Sequence, residues 1–325
     1  MIRAIRPVIV GLAGAACCAA SAQTLTVKDL VAKTLWVKNV LKSARAQFAE
    51  KTLERNLGAT VNYDAVIDWA VFYGKTYRKE VSRSVDGAKS GSLNTTIFDG
   101  NDTISIYATL QPDGKTVDRQ IERRPGHQFV VDIFAGAFEV HDLPLPDALA
   151  SGKYSIVRQS PTEIELDGVY QANQKIKFIL SPADGYLVRR AEIYGDGRFS
   201  QIQSIDKFAR TGDFTYPKSG KLALSFEGSS TPTNEVAVNV SSFEAGPVPA
   251  ELFAPDFIGG TVTDSVTREI YQVKDGRKVV VGHTKNREAA KTPSSGSPYG
   301  LALLSGCSVL VVAFGIRSRA KLNTR

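Results

Sequence analysis

Apolar and polar residues alternate along residues 175–208, a pattern that predicts three antiparallel β-strands joined by two tight turns. Ile176, Phe178 and Leu180 occupy every second position and therefore share one face of the first strand. Gly tolerates the positive φ that tight hairpin turns require, so Asp-Gly pairs are expected to join the strands. The two pairs are Asp184-Gly185 and Asp196-Gly197.

Short apolar runs of the same kind, separated by further Asp-Gly pairs, extend over most of the chain and predict an antiparallel meander. A crossover α/β fold would need helices between the strands, and these stretches lack helical spacing. The last run, 268–283, is expected to form a hairpin around Asp275-Gly276. The other predicted strands are 66–73, 77–83, 93–98, 103–109, 117–123, 154–159, 163–166, 212–216, 221–226 and 235–243.

Helical spacing of apolar residues is confined to two regions of the body. The first predicts a helix over residues 27–43, with Thr26 as its cap and Asp29 in its first turn. The second, 129–150, is interrupted by a Leu-Pro-Leu-Pro run and predicts one or two short helices and a loop. Because the first helix has one apolar face, we expect it to pack on the sheet.

Both ends of the chain carry topological signals. Residues 1–22 combine a basic start, a short apolar run and a small-residue cleavage site, as a secretory signal peptide does. Residues 299–316 lack charge over 18 positions, near the lower limit for a spanning helix, and the basic tail 317–325 follows. Residues 286–298 have the composition of a flexible linker. The expected topology is an exported body in the periplasm or outside the cell, one cytoplasmic-membrane anchor and a cytoplasmic C-terminus.

The net charge of +7 comes mainly from these ends. The first 22 residues contribute +2 and the last nine contribute +4, so residues 23–298 carry only +1. The body therefore lacks the basic surplus that indicates a nucleic-acid partner. Cys17, Cys18 and Cys307 all lie outside it, so the exported domain must be stabilised by burial rather than by disulfides.

The sequence offers no credible catalytic, metal or cofactor site, and we expect the protein not to be an enzyme. The body has three histidines, His127, His141 and His283, which lie far apart in sequence. A zinc site needs three or four converging ligands, and an acyl-transfer elbow of the form Gly-x-Ser-x-Gly does not occur. An envelope hydrolase that uses His127 or His141 is a minor alternative.

A sheet with a helix on one face either packs solidly or encloses a cavity for a ligand. For each apolar candidate taken alone, ordinary core packing is the simpler interpretation. Arg189 would either pair with a carboxylate or keep its charged head in water at the edge of the sheet, and both readings stay open. The candidate lining residues are Trp69, Phe72, Phe178, Leu180, Leu187, Arg189, Ile193 and Ile202.

Four segments resemble the lipoprotein-carrier superfamily typified by LolA, LolB and the amino-terminal domain of RseB. They are the N-terminal helix followed by strands, the segment 90–100, the hairpins at 180–208, and residues 239–243 with 249–255. The resemblance covers roughly residues 25–260. It implies an unclosed antiparallel β-barrel, a half-barrel capped by the N-terminal helix and one or two short helices.

The resemblance also implies a concave apolar surface that shelters acyl chains and performs no chemistry. A tethered chain cannot ferry cargo across a periplasm. We therefore expect a membrane-anchored extracytoplasmic module that binds a lipid, an acyl chain or a lipidated protein as a sensor or receptor. The expected parts are a signal peptide (1–22), a half-barrel domain (23–260), a hairpin extension (261–285), a linker (286–298), a span (299–316) and a tail (317–325).

A structural or interaction protein of the cell envelope is the alternative function. In this reading the core is filled, and hairpin 268–283 offers a strand edge to an envelope protein partner.

Overall fold

The structure is a computed structural model that describes residues 24–284 apart from 57–58, 85–90, 129–131, 141–142, 172–173, 196–198 and 227–230. The predicted signal peptide, linker, membrane span and tail lie outside the described residues. Within residues 24–284, no described helix is long and apolar enough to cross a bilayer.

Three short α-helices lie among the strands: α1 (Val27–Thr34), α2 (Trp36–Lys42) and α3 (Leu145–Ala150). Single 3-10 turns occur at Ala135–Ala137, Pro182–Asp184 and Ala250–Phe253. The strands are β1 (Ser43–Asn56), β2 (Ala59–Phe72), β3 (Lys75–Ser84), β4 (Gly91–Phe98), β5 (Asp102–Leu110), β6 (Thr116–Pro125), β7 (Glu139–Val140), β8 (Leu143–Pro144), β9 (Tyr154–Gln159), β10 (Ile164–Gln171), β11 (Gln174–Ser181), β12 (Leu187–Gly195), β13 (Phe199–Thr211), β14 (Phe214–Phe226), β15 (Asn234–Ala245), β16 (Thr261–Asp264), β17 (Glu269–Lys274) and β18 (Arg277–His283).

Sixteen strands form one open sheet in the order β18-β17-β16-β6-β5-β4-β3-β2-β1-β15-β14-β13-β12-β11-β10-β9. Sequential neighbours pair antiparallel, β1 joins β15 across the middle, and β16 pairs parallel with β6. The predicted mainly β fold with an unclosed sheet and an N-terminal helix is confirmed, as is the hairpin series β11–β13.

The N-terminal helical region begins where the sequence predicts. Thr26 and Asp29 form a capping box, in which each side chain accepts a hydrogen bond from the other residue's backbone N–H. The single predicted helix is divided at Leu35 into α1 and α2, and it ends when Ser43 turns extended to begin β1. Residues of α1 pack on strands β9–β12 and residues of α2 pack on β1, β2 and β15, so the two helices cover different parts of the sheet.

Two local predictions were wrong. The expectation that Asp-Gly pairs separate strands fails at Asp167-Gly168, which lies inside β10, where glycine leaves room for Tyr154 on the neighbouring strand because a Cβ would lie 2.3 Å from its ring. Residues 212–213 form a turn, and the two strands predicted at 212–216 and 221–226 are one strand, β14. The prediction of one or two short helices and a loop within 129–150 is confirmed by the 3-10 turn and α3, and the prolines at 144 and 146 stand at the start of α3, where the first helical turn needs no donor.

The C-terminal extension β16–β18 is fixed to the sheet by a buried ionic contact as well as by apolar packing. Arg123 on β6 donates from Nε and Nη2 to Oδ2 of Asp102, at 2.9 and 2.6 Å. Its Nη1 lies 3.5 Å from Oδ2 of Asp264, the last residue of β16, whose side chain is almost fully buried. Ile104, Ile121 and Val262 pack beside this group.

Replacing Arg123 with methionine should lower the free energy of unfolding by about 2 kcal/mol, because the carboxylates of Asp102 and Asp264 lose a charged donor in a mainly buried place. Urea unfolding of the full chain measures the change. Lys115→Met is the control: Lys115 pairs with Asp113 at the surface, and its loss should cost less than about 0.5 kcal/mol. Equal losses in both variants would contradict the assignment.

Candidate functional site

One face of the sheet is covered by the helices and by residues 132–140, which we call the covering segment. The strand register fixes which side chains point to it: Phe48 lies opposite Ile67, and Ile67 lies opposite Glu80. Because side chains alternate along a strand, every second residue of β1, β2 and β3 shares this face. The face is apolar from β2 through β15 to β9 and becomes polar beyond β3.

Two apolar clusters fill the covered face. The α2 cluster joins α2 and the covering segment to β1, β2 and β15, and the α1 cluster joins α1 and α3 to strands β9–β12. The α2 cluster includes Val37, Val40, Phe48, Ile67, Trp69, Phe134, Phe138, Leu187, Ile205, Val240 and Phe243. The α1 cluster includes Leu30, Leu145, Leu149, Tyr154, Ile164, Leu166, Ile176, Phe178, Leu180 and Val188.

Phe134 of the covering segment is the centre of the α2 cluster. Its ring centroid lies 5.7 Å from that of Phe48, 5.1 Å from Trp69, 5.6 Å from Phe138 and 5.7 Å from Phe243. The side chain is fully buried. Aromatic pairs at these separations add to the area that they bury, so this ring contributes most of the apolar contact between cover and sheet.

Few polar contacts hold the covering segment. Asp132 Oδ1 accepts hydrogen bonds from the backbone N–H groups of Phe134 and Ala135, which fixes the 3-10 turn. Gln203 on β13 donates from Nε2 to the carbonyl oxygen of Ile133, at 3.3 Å. Gly136 lies so close to Gln203 that a Cβ there would fall 2.5 Å from its amide oxygen. The segment therefore depends mainly on apolar packing.

A buried ionic cluster lies beneath the end of the covering segment. Arg78 on β3 reaches Glu80 with Nη1, at 2.5 Å, and Glu50 on β1 with Nη2, at 3.2 Å. Its Nε lies 3.6 Å from Oδ2 of Asp132, and these two buried atoms make no hydrogen bond to any described residue. Of the three ion pairs that Arg78 makes, the one that joins the sheet to the covering segment is thus the longest.

One guanidinium cannot neutralise three buried carboxylates. Burial raises the pKa of Glu50 to about 7, although the Arg78 guanidinium opposes the shift. Burial likewise raises the pKa of Asp132, against Arg78 and two backbone N–H donors. Near neutral pH the cluster therefore lies close to a change of protonation.

Five of the eight candidate lining residues are on the covered side. Trp69 and Leu187 belong to the α2 cluster, Phe178 and Leu180 belong to the α1 cluster, and Ile193 packs against the latter. Their packing is with other side chains of the chain, and whether they also touch a ligand stays a prediction.

The other three candidates lie elsewhere. Phe72 is on the opposite face of β2 from Trp69 and packs on Phe253, with ring centroids 6.0 Å apart. Ile202 pairs with Glu192 and faces away from the covered side, because the next residue, Gln203, points to the cover. Apolar character alone does not distinguish the two faces of a strand, and counting by twos from Trp69 would have excluded Phe72.

Arg189 is exposed to water, as one of its two interpretations expects. It does not lie at the edge of the sheet, however, because β12 is an inner strand. The cause is a β-bulge: Ile179 pairs with Arg190 but Leu180 pairs with Val188, so Arg189 is the additional residue. The bulge moves Val188 to the covered face and turns both arginines outward.

The sequence analysis did not single out Arg78, Glu50 or Phe134. A signal for Glu50 existed, since it continues the alternation of Ala44, Ala46 and Phe48 on β1 and therefore had to point inward. No comparable signal marks Asp132, which meets Arg78 through a non-local contact. Within the part of the chain that the structure describes, no group of three His, Cys, Asp or Glu side chains is arranged to hold a metal ion.

No protein-family model and no curated protein sequence matches the chain. Among solved structures it is similar to a DUF1329 family protein from Desulfovibrio piger, at 10% identity and a TM-score of 0.43, over 71% of this chain and 98% of that chain. It is also similar to an outer membrane lipoprotein-sorting protein domain from Vibrio parahaemolyticus, at 9% identity and a TM-score of 0.40, over 70% of this chain and 97% of that chain. The second is of the class that the sequence motifs resemble. The likeness is low in sequence and assigns no ligand to this chain.

The raised pKa of Glu50 predicts a pH dependence of stability. Between the ordinary pKa of 4.5 and about 7, the folded state binds the proton more tightly than the unfolded state, so this contribution is lost as pH rises. Over the whole interval, the free energy of unfolding should fall by roughly 3 kcal/mol. Glu50→Gln should reduce that slope, with the buried Asp132 contributing what remains, as measured by urea unfolding of the full chain at several pH values from 4.5 to 7.5.

Glu165→Gln serves as the control for this measurement. A hydrogen bond from Lys177 lowers the pKa of Glu165, so above about pH 6 its carboxylate is ionised in both the folded and the unfolded state. The slope of the wild type should persist in this variant. A slope unaltered by Glu50→Gln would show that Glu50 is not buried beside Arg78 as described.

Proposed function

We propose that the protein is a non-catalytic binding module for a lipid, an acyl chain or the acylated end of a lipoprotein. The observation that supports this is the separable cover of the apolar face. A second sheet would close such a face permanently, whereas here Phe134 and Phe138 of a short segment occupy it. An acyl chain offers the same apolar contact and can replace these rings.

Displacing the covering segment would break polar contacts that include the hydrogen bond from Gln203 and the long contact between Arg78 and Asp132. Once exposed, Asp132 would ionise freely in water, while Arg78 would keep Glu50 and Glu80 as partners. The ionic cluster therefore favours closure without preventing opening, as a reversible binding site requires.

We further propose that the body is exported and tethered by residues 299–316, with the C-terminus in the cytoplasm. A tethered module reports on its ligand at one membrane, so a sensor or receptor role suits it better than a shuttle role. The partners are then the membrane itself, a lipid or lipidated protein, and an envelope protein that responds to binding.

An interaction protein with a permanently filled core is the second candidate function. The observation that favours it is the complete burial of Phe134 and Phe178 by side chains of the chain itself. The two functions differ in one physical property, which is whether the covering segment can leave the sheet.

Locking the cover to the sheet should abolish ligand binding. Gly136 and Gln203 are in contact, and cysteines at both positions should form a disulfide in a chain whose three native cysteines are serine. Native mass spectrometry after incubation with a diacyl lipid should then detect bound lipid in the reduced protein and little in the oxidised protein. Gln203→Cys alone is the control, and it should bind the same amount of lipid under reducing and oxidising conditions. Equal lipid binding by the locked and open forms would reject the covered face as the site.

The topology predicts which positions a membrane-impermeant maleimide reaches in intact cells. In the same cysteine-free background, a cysteine replacing the exposed Val157 should be labelled, and one replacing Thr324 should be labelled only after permeabilisation. The reverse pattern, or labelling of both positions in intact cells, would reject the proposed anchor.

A further inference from the structure

A cavity of about 390 Å³ lies at one end of the covered face, where α2 passes into β1 and β2 turns into β3, and its wall residue Phe214 packs against the α2 cluster. It is open to solvent on one side, and none of the described residues that line it is charged. Aromatic rings form much of its wall. The lining includes Asn39, Ser43, Phe72, Tyr73, Phe214 and Pro247. The volume is within the range of sites for small ligands.

Tyr73 at the rim of this cavity is held by the turn between β2 and β3. The residue is 70% exposed, and its ring contacts Phe72 edge-on with centroids 4.8 Å apart. Its φ of 48° and that of Gly74, 81°, are those of a two-residue hairpin turn, and its N–H donates to the carbonyl oxygen of Lys42. The turn therefore presents an exposed aromatic ring at the mouth of the cavity.

The ammonium group of Lys42 lies near the same rim. Lys42, in the last turn of α2, is exposed and donates from Nζ to Oδ1 of Asn39, at 3.2 Å. Asn39 lines the cavity, so the ammonium lies one side chain away from it. The site therefore combines an apolar interior with a positive charge where the interior opens to water.

We propose that this cavity is a second ligand site, which binds one acyl chain of an anionic single-chain amphiphile. The chain lies between Phe72, Tyr73 and Phe214, and the carboxylate lies at Lys42. An acyl chain fits because apolar walls without charge exclude a polar ligand, and the open side leaves the head in water. The proposal rests on the proposed function in the class of ligand. The two sites adjoin, because Phe214 packs against the α2 cluster whereas Phe72 lies on the other face of β2.

The two tryptophans of the chain differ in their neighbours. Trp36 lies against Phe214 of the cavity wall, with ring centroids 6.4 Å apart, and also edge-on to Phe138 of the covering segment, at 6.5 Å. Trp69 lies against Phe134 under the cover. The cavity-filling variant therefore decides which site produces quenching of Trp36. A brominated fatty acid quenches tryptophan fluorescence at contact distance, so it serves as the probe. Trp69→Phe in the full chain leaves Trp36 as the reporter of the cavity, and Trp36→Phe leaves Trp69 as the reporter of the covered face.

Filling the cavity tests the assignment. Asn39 is exposed on α2, so Asn39→Phe should place a ring in the cavity without disturbing the core. The apparent affinity for the brominated fatty acid, measured by quenching of Trp36, should fall at least ten-fold. Ala32→Phe adds the same ring at an exposed position of α1 that does not line the cavity, and quenching should persist. Lys42→Glu should weaken binding roughly two- to five-fold, the range of an exposed ion pair.

Each outcome decides one proposal. Quenching of Trp36 that Asn39→Phe removes and Ala32→Phe retains supports the cavity site. Absence of Trp36 quenching in the parent protein, or quenching that survives Asn39→Phe, overturns it. Quenching of Trp69 in the Trp36→Phe variant is a separate result: its absence would count against the covered face as a lipid site and would leave the cavity site standing.

Discussion

The structure depends on the burial of one apolar face of an open sheet. A barrel buries its inner face by closing on itself, but this sheet ends at β9 and β18 and needs other elements to cover it. Three short helices and the covering segment do this, and Phe134 supplies the central contact. These elements join the sheet mainly through apolar side chains, whereas neighbouring strands are joined by ladders of backbone hydrogen bonds.

The ionic cluster is a consequence of the same arrangement. The covered face changes from apolar to polar at β3, and Arg78 lies at that boundary beside Glu50 and Glu80. Asp132 arrives from the cover and joins them with the longest contact. A buried cluster of this kind contributes little net stability but makes the closed arrangement specific, since a displaced cover leaves the cluster with one carboxylate fewer.

The far end of the sheet shows a different solution to the same problem. There β16–β18 extend the sheet, and β16 pairs parallel with β6, the one parallel pairing between strands of the main sheet as described. Apolar residues around Val262 and the contact of Arg123 with Asp102 and Asp264 hold the extension on the side away from the helices. The chain thus covers one face of the sheet with helices and the covering segment, and at β5, β6 and β16 it buries apolar residues on the other face.

Local order could be predicted from the sequence, because it depends on neighbouring residues. The capping box at Thr26, the hairpin rhythm of β11–β13 and the turn at Asp275-Gly276 all follow from spacing within a few positions. The mainly β class and the antiparallel pairing follow in turn, since long helical stretches between strands are missing from the pattern, whereas the unclosed sheet was expected from the resemblance to the lipoprotein-carrier superfamily. The prediction of a covered apolar surface belongs to this level as well.

The tertiary structure alone decided which side chains meet on that surface. A one-residue bulge at Arg189 reverses the faces along β12, and alternation read from the sequence does not reveal it. Trp69 and Phe72 are equally apolar but point in opposite directions, one to the cover and one to the cavity beside α2. Arg78 and Asp132 come together only through the fold, because a contact between residues far apart in sequence has no local pattern. The sequence by itself therefore determined the strands and their order of turns, and the packing of the sheet against its cover determined the site.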